Sequence, residues 1–221
     1  MSPVFNAINI IVTLKEMAAE MGNHNEELRQ LDATIGDGDM GITAELDSKA
    51  IAEYLANTTE DDIGKLLTKC GMYFNKASSS TFGTLLASAF MGAGKVLLGR
   101  KEIDIRHLVL LGQSAVDGIK KRGKAEVGEK TMLDSLILAV EAFKEVLANG
   151  TDYNVAIEAA IKAAKAGMAE TVRMKAKHSR ASYRPDGGIG VQDAGATAMY
   201  YLIESFGRSL ASHVAGQKPL L

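Results

Sequence analysis

Residues 31 to 41 read Leu-Asp-Ala-Thr-Ile-Gly-Asp-Gly-Asp-Met-Gly, which sets Asp32, Asp37 and Asp39 among Gly36, Gly38 and Gly41. Carboxylates at close quarters raise one another's pKa unless a cation intervenes. A hard divalent ion removes that penalty, and glycine lets the backbone bend so that the oxygens converge. The simplest chemistry is a Mg²⁺ site, and Mg²⁺ held by few carboxylates usually also binds substrate phosphates. The plainer alternative is a polar turn whose aspartates cap helices. One aspartate suffices for a cap, and this stretch has three.

Two familiar loops can be set aside. Gly36-Asp37-Gly38-Asp39-Met40-Gly41 matches G-x-G-x-x-G literally. That fingerprint needs a preceding strand, and Glu26 to Ile35 is charged and not strand-like; two aspartates in the loop would also repel a pyrophosphate. An EF-hand loop counted from Asp37 puts Gly41 at position five and Ser48 where a bidentate glutamate is required.

Three further polar loops could complete a phosphate site. Ala77-Ser78-Ser79-Ser80-Thr81-Phe82-Gly83-Thr84 opens a helix, where free N–H groups and hydroxyls can hold a phosphate, or where a serine simply caps. Gly123 to Met132 offers a loop with an apolar side chain for a purine, although a lone methionine is more often core. Arg180 precedes Gly187-Gly188-Ile189-Gly190; an arginine can pair with phosphate oxygens, or merely belong to the solvated basic face of Arg173, Lys175, Lys177 and Arg184. Asp193-Ala194-Gly195 opens the last helix, where the plainer role for Asp193 is simply its N-cap. His24, His107, His178 and His213 all lie outside the acidic loop, and no residue stands out as a nucleophile.

Helices must position these loops. Only three prolines occur, at 3, 185 and 219, and Ala, Leu, Met, Lys and Glu are abundant. Ser2-Pro3 is expected to open a helix to about Met21. Others are expected from Ile42 to Leu55, from Thr59-Glu60-Asp61-Asp62 to about Asn75, over 78–98, and from Asp104 to about Lys121. Met132, Leu136, Val140, Phe143 and Leu147 recur at helical spacing. Asp152 caps a helix with a small-residue face (Ala156, Ala159, Ala160, Ala163, Ala164, Gly167), and Asp193 opens the last, to about Val214. That makes about eight helices and no convincing strand; Leu108 to Leu111 lies inside a helical segment. The expected fold is all-α, one domain over residues 1–221, an antiparallel up-and-down bundle. In such a bundle alternate loops fall at one end, which brings 31–43, 76–84, 122–132 and 178–195 together.

The chain has 221 residues, 47% hydrophobic and 24% charged, with a net charge of −2. This gives no electrostatic case for nucleic acid or an anionic membrane surface. No stretch approaches the roughly 20 apolar residues of a membrane span. One cysteine, Cys70, and no basic, cleavable N-terminal segment fit a cytoplasmic protein.

Four motifs in order resemble the L subunit of dihydroxyacetone kinases: Leu31 to Asp39, Phe82-Gly83-Thr84, Gly128-Glu129-Lys130-Thr131-Met132-Leu133-Asp134, and Arg180-Ala181-Ser182-Tyr183 with Asp193-Ala194-Gly195-Ala196. The similarity spans nearly the whole chain. It implies a barrel of eight antiparallel helices with nucleotide at one end. It implies that Asp32, Asp37 and Asp39 hold two Mg²⁺ ions, which hold the phosphates of ADP or ATP. Further nucleotide contacts are implied at Met40, Gly41, Thr43, Ser78, Ser79, Gly123, Met132, Arg180, Asp193, Ala194 and Gly195. In that family a K subunit binds dihydroxyacetone covalently through a histidine, and phosphoryl transfer crosses the subunit interface. In the phosphotransferase-linked form an M subunit rephosphorylates bound ADP. A homodimer is expected. Some relatives act on erythrulose, and some L subunits signal to a transcription factor. Met40 stands where the family commonly has histidine, Ala194 where it has proline, and Ser79 where it has glycine.

Overall fold

The computed structural model describes residues 3–77, 79–150 and 152–216. Among them are nine α-helices and one short β-ribbon. The helices are α1 (Ala7–Asn23), α2 (Asn25–Ile35), α3 (Met40–Asn57), α4 (Ile63–Ala77), α5 (Thr81–Val96), α6 (Ile105–Gly123), α7 (Leu133–Ala148), α8 (Tyr153–Glu170) and α9 (Ala194–Gly216). Two 3-10 turns, Thr171–Arg173 and Arg180–Tyr183, interrupt the last long loop.

Eight helices of 15 to 23 residues build the barrel. α1 packs on α3, each of α3 to α8 on its successor, and α9 returns to α1, so the ring closes. From α3 to α8 short connections join neighbours and make them antiparallel, as expected from the sequence. The inward stripes carry fully buried Ile10, Leu55, Leu66, Ile119, Leu133 and Leu210. Each such side chain contributes on the order of 1.5–3 kcal/mol by leaving water. The small-residue face of α8 allows the closest approach: a Cβ on Gly167 would lie 2.0 Å from the Asp134 carbonyl oxygen of α7.

Two features differ from the sequence reading. The first helix does not begin at Pro3, and Ser2 lies outside the described residues. Val4–Asn6 instead form β1, antiparallel to β2 (Glu102–Asp104), with Phe5 opposite Ile103. Both side chains are buried, while their neighbours on the ribbon are more exposed. Three residues are too few for a period-two signal, and each strand runs straight into a helix cap. Asn6 accepts from the Asn9 amide, and Asp104 from the amides of Arg106 and His107.

The second difference is α2, a ninth helix beside the eight of the barrel. It follows α1 after a break at His24 and packs on α3 and α9. Leu28 and Ile35 face inward, and Glu26 pairs with Arg29 on the outer face. Its net polarity hid the stripe. The consequence is local: Asp32 projects from a helix, not from a loop.

Candidate metal centre

Helix α2 ends at Ile35 and α3 begins at Met40, so the acidic loop is only residues 36 to 39. Asp32 comes from the last turn of α2, and Asp37 and Asp39 from the loop. A ligand oxygen from each lies within 4.8 Å of the other two. Two glycines make this possible. A Cβ on Gly36 would lie 2.2 Å from Asp32 Oδ1, and Gly38 takes φ +75°, a left-handed conformation that other residues adopt at a cost.

The carboxylates are electrostatically crowded. Burial raises the Asp32 pKa above the ordinary carboxylate value, the Met40 amide opposes that shift, and Asp37 adds to it. Asp39 is raised by burial and then by Asp37 and Asp32, with Arg180 acting the other way. Uncompensated repulsion among oxygen donors is what a divalent cation relieves. The donor set, three carboxylates and no nitrogen or sulfur, is that of a hard ion such as Mg²⁺.

One cation already reaches the cluster. Arg180 Nη2 lies 2.7 Å from Asp37 Oδ2. Arg180 opens the second 3-10 turn, directly after Ser179, whose φ of +61° is unusual for a residue with a side chain. The surrounding segment is seated on α2. Ala176, Ala181 and Val191 pack with Ile35, and Gly188 comes close to the Ile35 side chain. The Gly190 amide donates to Val172 O and the Ala176 amide to Gly187 O.

The other expected residues fall as follows. Met40 donates its amide to Asp32 Oδ2 at 3.3 Å, while its side chain, 6% exposed, lies in the main core. Any contribution it makes at the carboxylates is therefore through the backbone. Gly41 is buried where α3 crosses Asn25 and Arg29, and Thr43 is buried one turn into α3. Ser78 lies outside the described residues. Ser79 is exposed, one position before Ser80, which caps α5 by accepting from the Gly83 amide. Gly123 ends α6 against Leu85. Met132 is buried at the head of α7, and a Cβ on Gly195 would lie 3.8 Å from the Met132 Cβ, so these two loops touch. Ala194 is buried. Asp193 caps α9, accepting from the Ala196 amide at 2.7 Å. Its side chain keeps some solvent access, but the protein packed around it pushes its pKa up to about 6.

Three of the four loops named from the sequence are thus joined by contacts: 36–39, 124–132 and the long segment 171–193. The loop at 77–80 belongs to the same end by the alternation of helix directions. A cavity of about 170 Å³ lies elsewhere, inside the barrel, lined by apolar side chains such as Leu14, Phe90 and Ile161, and no carboxylate lines it.

Sequence reasoning missed Lys130. It is 2% exposed, and its ammonium donates to the carbonyls of Thr171 and Val191. Its place between two polar residues in a loop gave no hint of burial.

The DAK2 domain matches residues 34–208 of the chain. The chain is 32% identical over 180 residues to the ADP-binding subunit DhaL of the PEP-dependent dihydroxyacetone kinase of Escherichia coli, covering 81% of this chain and 86% of that one. It is 27% identical over 206 residues to an L-erythrulose 1-kinase of Mycolicibacterium smegmatis, covering 92% of this chain but 36% of that longer protein. The dihydroxyacetone kinase of C. freundii, solved in complex with AMP-PNP and Mg²⁺, has the same fold, with a TM-score of 0.70 at 24% identity over 95% of this chain and 35% of that one.

Proposed function

The chain belongs to the DAK2-domain family, and from that premise we propose that it is the nucleotide-binding subunit of a dihydroxyacetone-type kinase. It presents ADP or ATP, with Mg²⁺, for phosphoryl transfer to a small ketose held on a separate K subunit. The observation that carries this reading is Arg180 meeting Asp37 at the carboxylate cluster. Ligands for a hard cation and a donor for phosphate oxygens stand side by side, on loops from opposite ends of the sequence.

Asp32, Asp37 and Asp39 would hold the metal. When bound, Mg²⁺ supplies the positive charge that neutralises the phosphates and the charge developing on them during transfer. The residues of this chain bind and orient. The guanidinium of Arg180 can turn from Asp37 to a phosphate, with its paired N–H groups matching phosphate oxygens. The Ser79 hydroxyl and the head of α5 supply further donors. Gly123, Met132 and the Asp193–Gly195 turn form the wall for the nucleoside. Among the described residues no histidine is left free at the carboxylates. His24 lies between Glu20 and Glu27, His107 binds Asp104 at the far end of the barrel, and His178 binds Glu129. The acceptor and its base therefore belong to the partner, and catalysis here is positioning and charge stabilisation.

The likeness to the DhaL subunit favours a phosphotransferase-linked mode, in which ADP stays bound and an M-type subunit rephosphorylates it. The likeness to an erythrulose kinase favours a second acceptor. One assay tests the proposal. The protein is incubated with a K subunit, Mg²⁺, ATP or a phosphoenolpyruvate-driven donor system, and dihydroxyacetone or erythrulose. Ketose phosphate formed only in the presence of this chain is expected. No transfer with any K-type partner or donor would overturn the kinase reading.

A further inference from the structure

Among the described residues, Lys130 is the buried lysine; every other described lysine and arginine keeps solvent access. A buried ammonium is costly unless its N–H groups are used and opposite charge is near. Both conditions hold. Nζ donates to Thr171 O and to Val191 O, and Asp193 and Asp134 are the charges that favour its protonated form. Lys130 also takes φ +62°, a backbone conformation that side-chain-bearing residues seldom adopt.

The two carbonyls lie at the ends of the segment that carries Arg180. Thr171 follows directly on α8, and Val191 stands just before α9. One ammonium therefore clasps both ends of the strap between these helices. Other contacts tighten the same clasp. Thr171 Oγ1 accepts from the Asp193 amide at 3.0 Å, and a Cβ on Gly188 would lie 3.5 Å from Lys130 Cε. The preceding residue works on the same strap: Glu129 holds Lys177 at 3.0 Å and His178 at 2.7 Å. Arg180 projects from the middle of the strap onto Asp37.

We propose that Lys130 is the positioning residue for Arg180: by joining the carbonyls of Thr171 and Val191 it fixes the strap so that the guanidinium meets the aspartate cluster. This deepens the nucleotide-binding reading, on which its effect on affinity rests. Lys130 touches neither the carboxylates nor Arg180, and it acts only through the strap. A shift of about an ångström in a binding group can lose as much as removing it.

The test combines two measurements on Lys130→Met, Arg180→Ala and the double variant. Lys130→Gln, which keeps an amide donor, is carried alongside in case the methionine variant does not fold. Amide hydrogen exchange without nucleotide is expected to show faster exchange over 174–191 in the Lys130 variants, with the barrel helices as protected as before. ADP affinity in excess Mg²⁺ is expected to fall by up to about tenfold, the loss expected for Arg180→Ala itself, since Lys130 acts only through that group. Arg180→Ala is expected to add little once Lys130 is replaced. Unchanged exchange over 174–191, or Lys130 and Arg180 effects that simply add, would overturn the proposal. If the wild-type protein bound no Mg-ADP, the nucleotide reading would fall, and the exchange result alone would still decide whether Lys130 fixes the strap.

Discussion

Arg180 Nη2 lies 2.7 Å from Asp37 Oδ2, across loops 143 residues apart in sequence (180 − 37 = 143). The pair is solvent-facing, so its own contribution to folding is small. Its meaning lies in the two roles it joins: a carboxylate placed for a metal and a guanidinium placed for a phosphate. Arg180→Ala is therefore expected to leave the melting temperature essentially unchanged while weakening ADP binding in Mg²⁺ by about tenfold, the worth of one charge-assisted hydrogen bond. Arg180→Lys should recover only part, because an ammonium lacks the planar fork. Differential scanning fluorimetry and calorimetric titration read the two effects separately.

Gly36 sets the reach of Asp32. An alanine there would bring its Cβ to 2.2 Å from Asp32 Oδ1, so that carboxylate must rotate away. Gly36→Ala is expected to keep the helical content of the protein and to lower Mg²⁺-dependent ADP binding by about tenfold or more, comparable to the loss of a metal-supporting contact. Circular dichroism alongside the titration checks both halves.

Asp193 carries a pH signature. Its pKa is pushed up to about 6 by burial, against the ordinary 3.8, with Lys130 and the Ala196 amide opposing the shift and Asp134 and Asp32 adding to it. A carboxyl with a raised folded-state pKa binds its proton more tightly when folded. Stability from this group is therefore greatest below about pH 4 and declines as pH rises through about 6. Asn can still cap α9 but has no charge to bury. Asp193→Asn is expected to flatten that decline: the metal-free variant should lose less stability than the wild type between about pH 4 and pH 7, on top of a constant offset from removing the charge beside Lys130. Urea denaturation at the two pH values measures it.

Much of this arrangement was legible in the sequence. The eight barrel helices follow from the apolar periodicity and from caps such as Asp104 and Asp152, whose side chains bond the first-turn amides as expected. The carboxylate trio converges because glycines at 36 and 38 allow it. The β1–β2 ribbon was not legible, since its strands hold one inward residue each. Helix α2 was hidden by its charged outer face, although Leu28 and Ile35 mark its inner one. Met40 and Lys130 show a different limit. The family resemblance placed Met40 at the site, yet the side chain turns into the core and only its amide reaches Asp32. Lys130 reads as a surface residue until the fold brings two carbonyls twenty residues apart to its ammonium. Nothing local encodes that meeting.

The central claim is that Asp32, Asp37 and Asp39 hold the divalent ion through which nucleotide binds. Calorimetric titration of ADP into the wild-type protein and into Asp37→Asn, each in excess Mg²⁺ and in chelator, tests it most directly. Wild-type binding in Mg²⁺ should weaken by about tenfold or more on chelation, and Asp37→Asn should show a loss of similar size even with Mg²⁺ present, because a carboxylate ligand is gone. Equal ADP affinity with and without Mg²⁺, or an unchanged affinity for Asp37→Asn, would contradict the account.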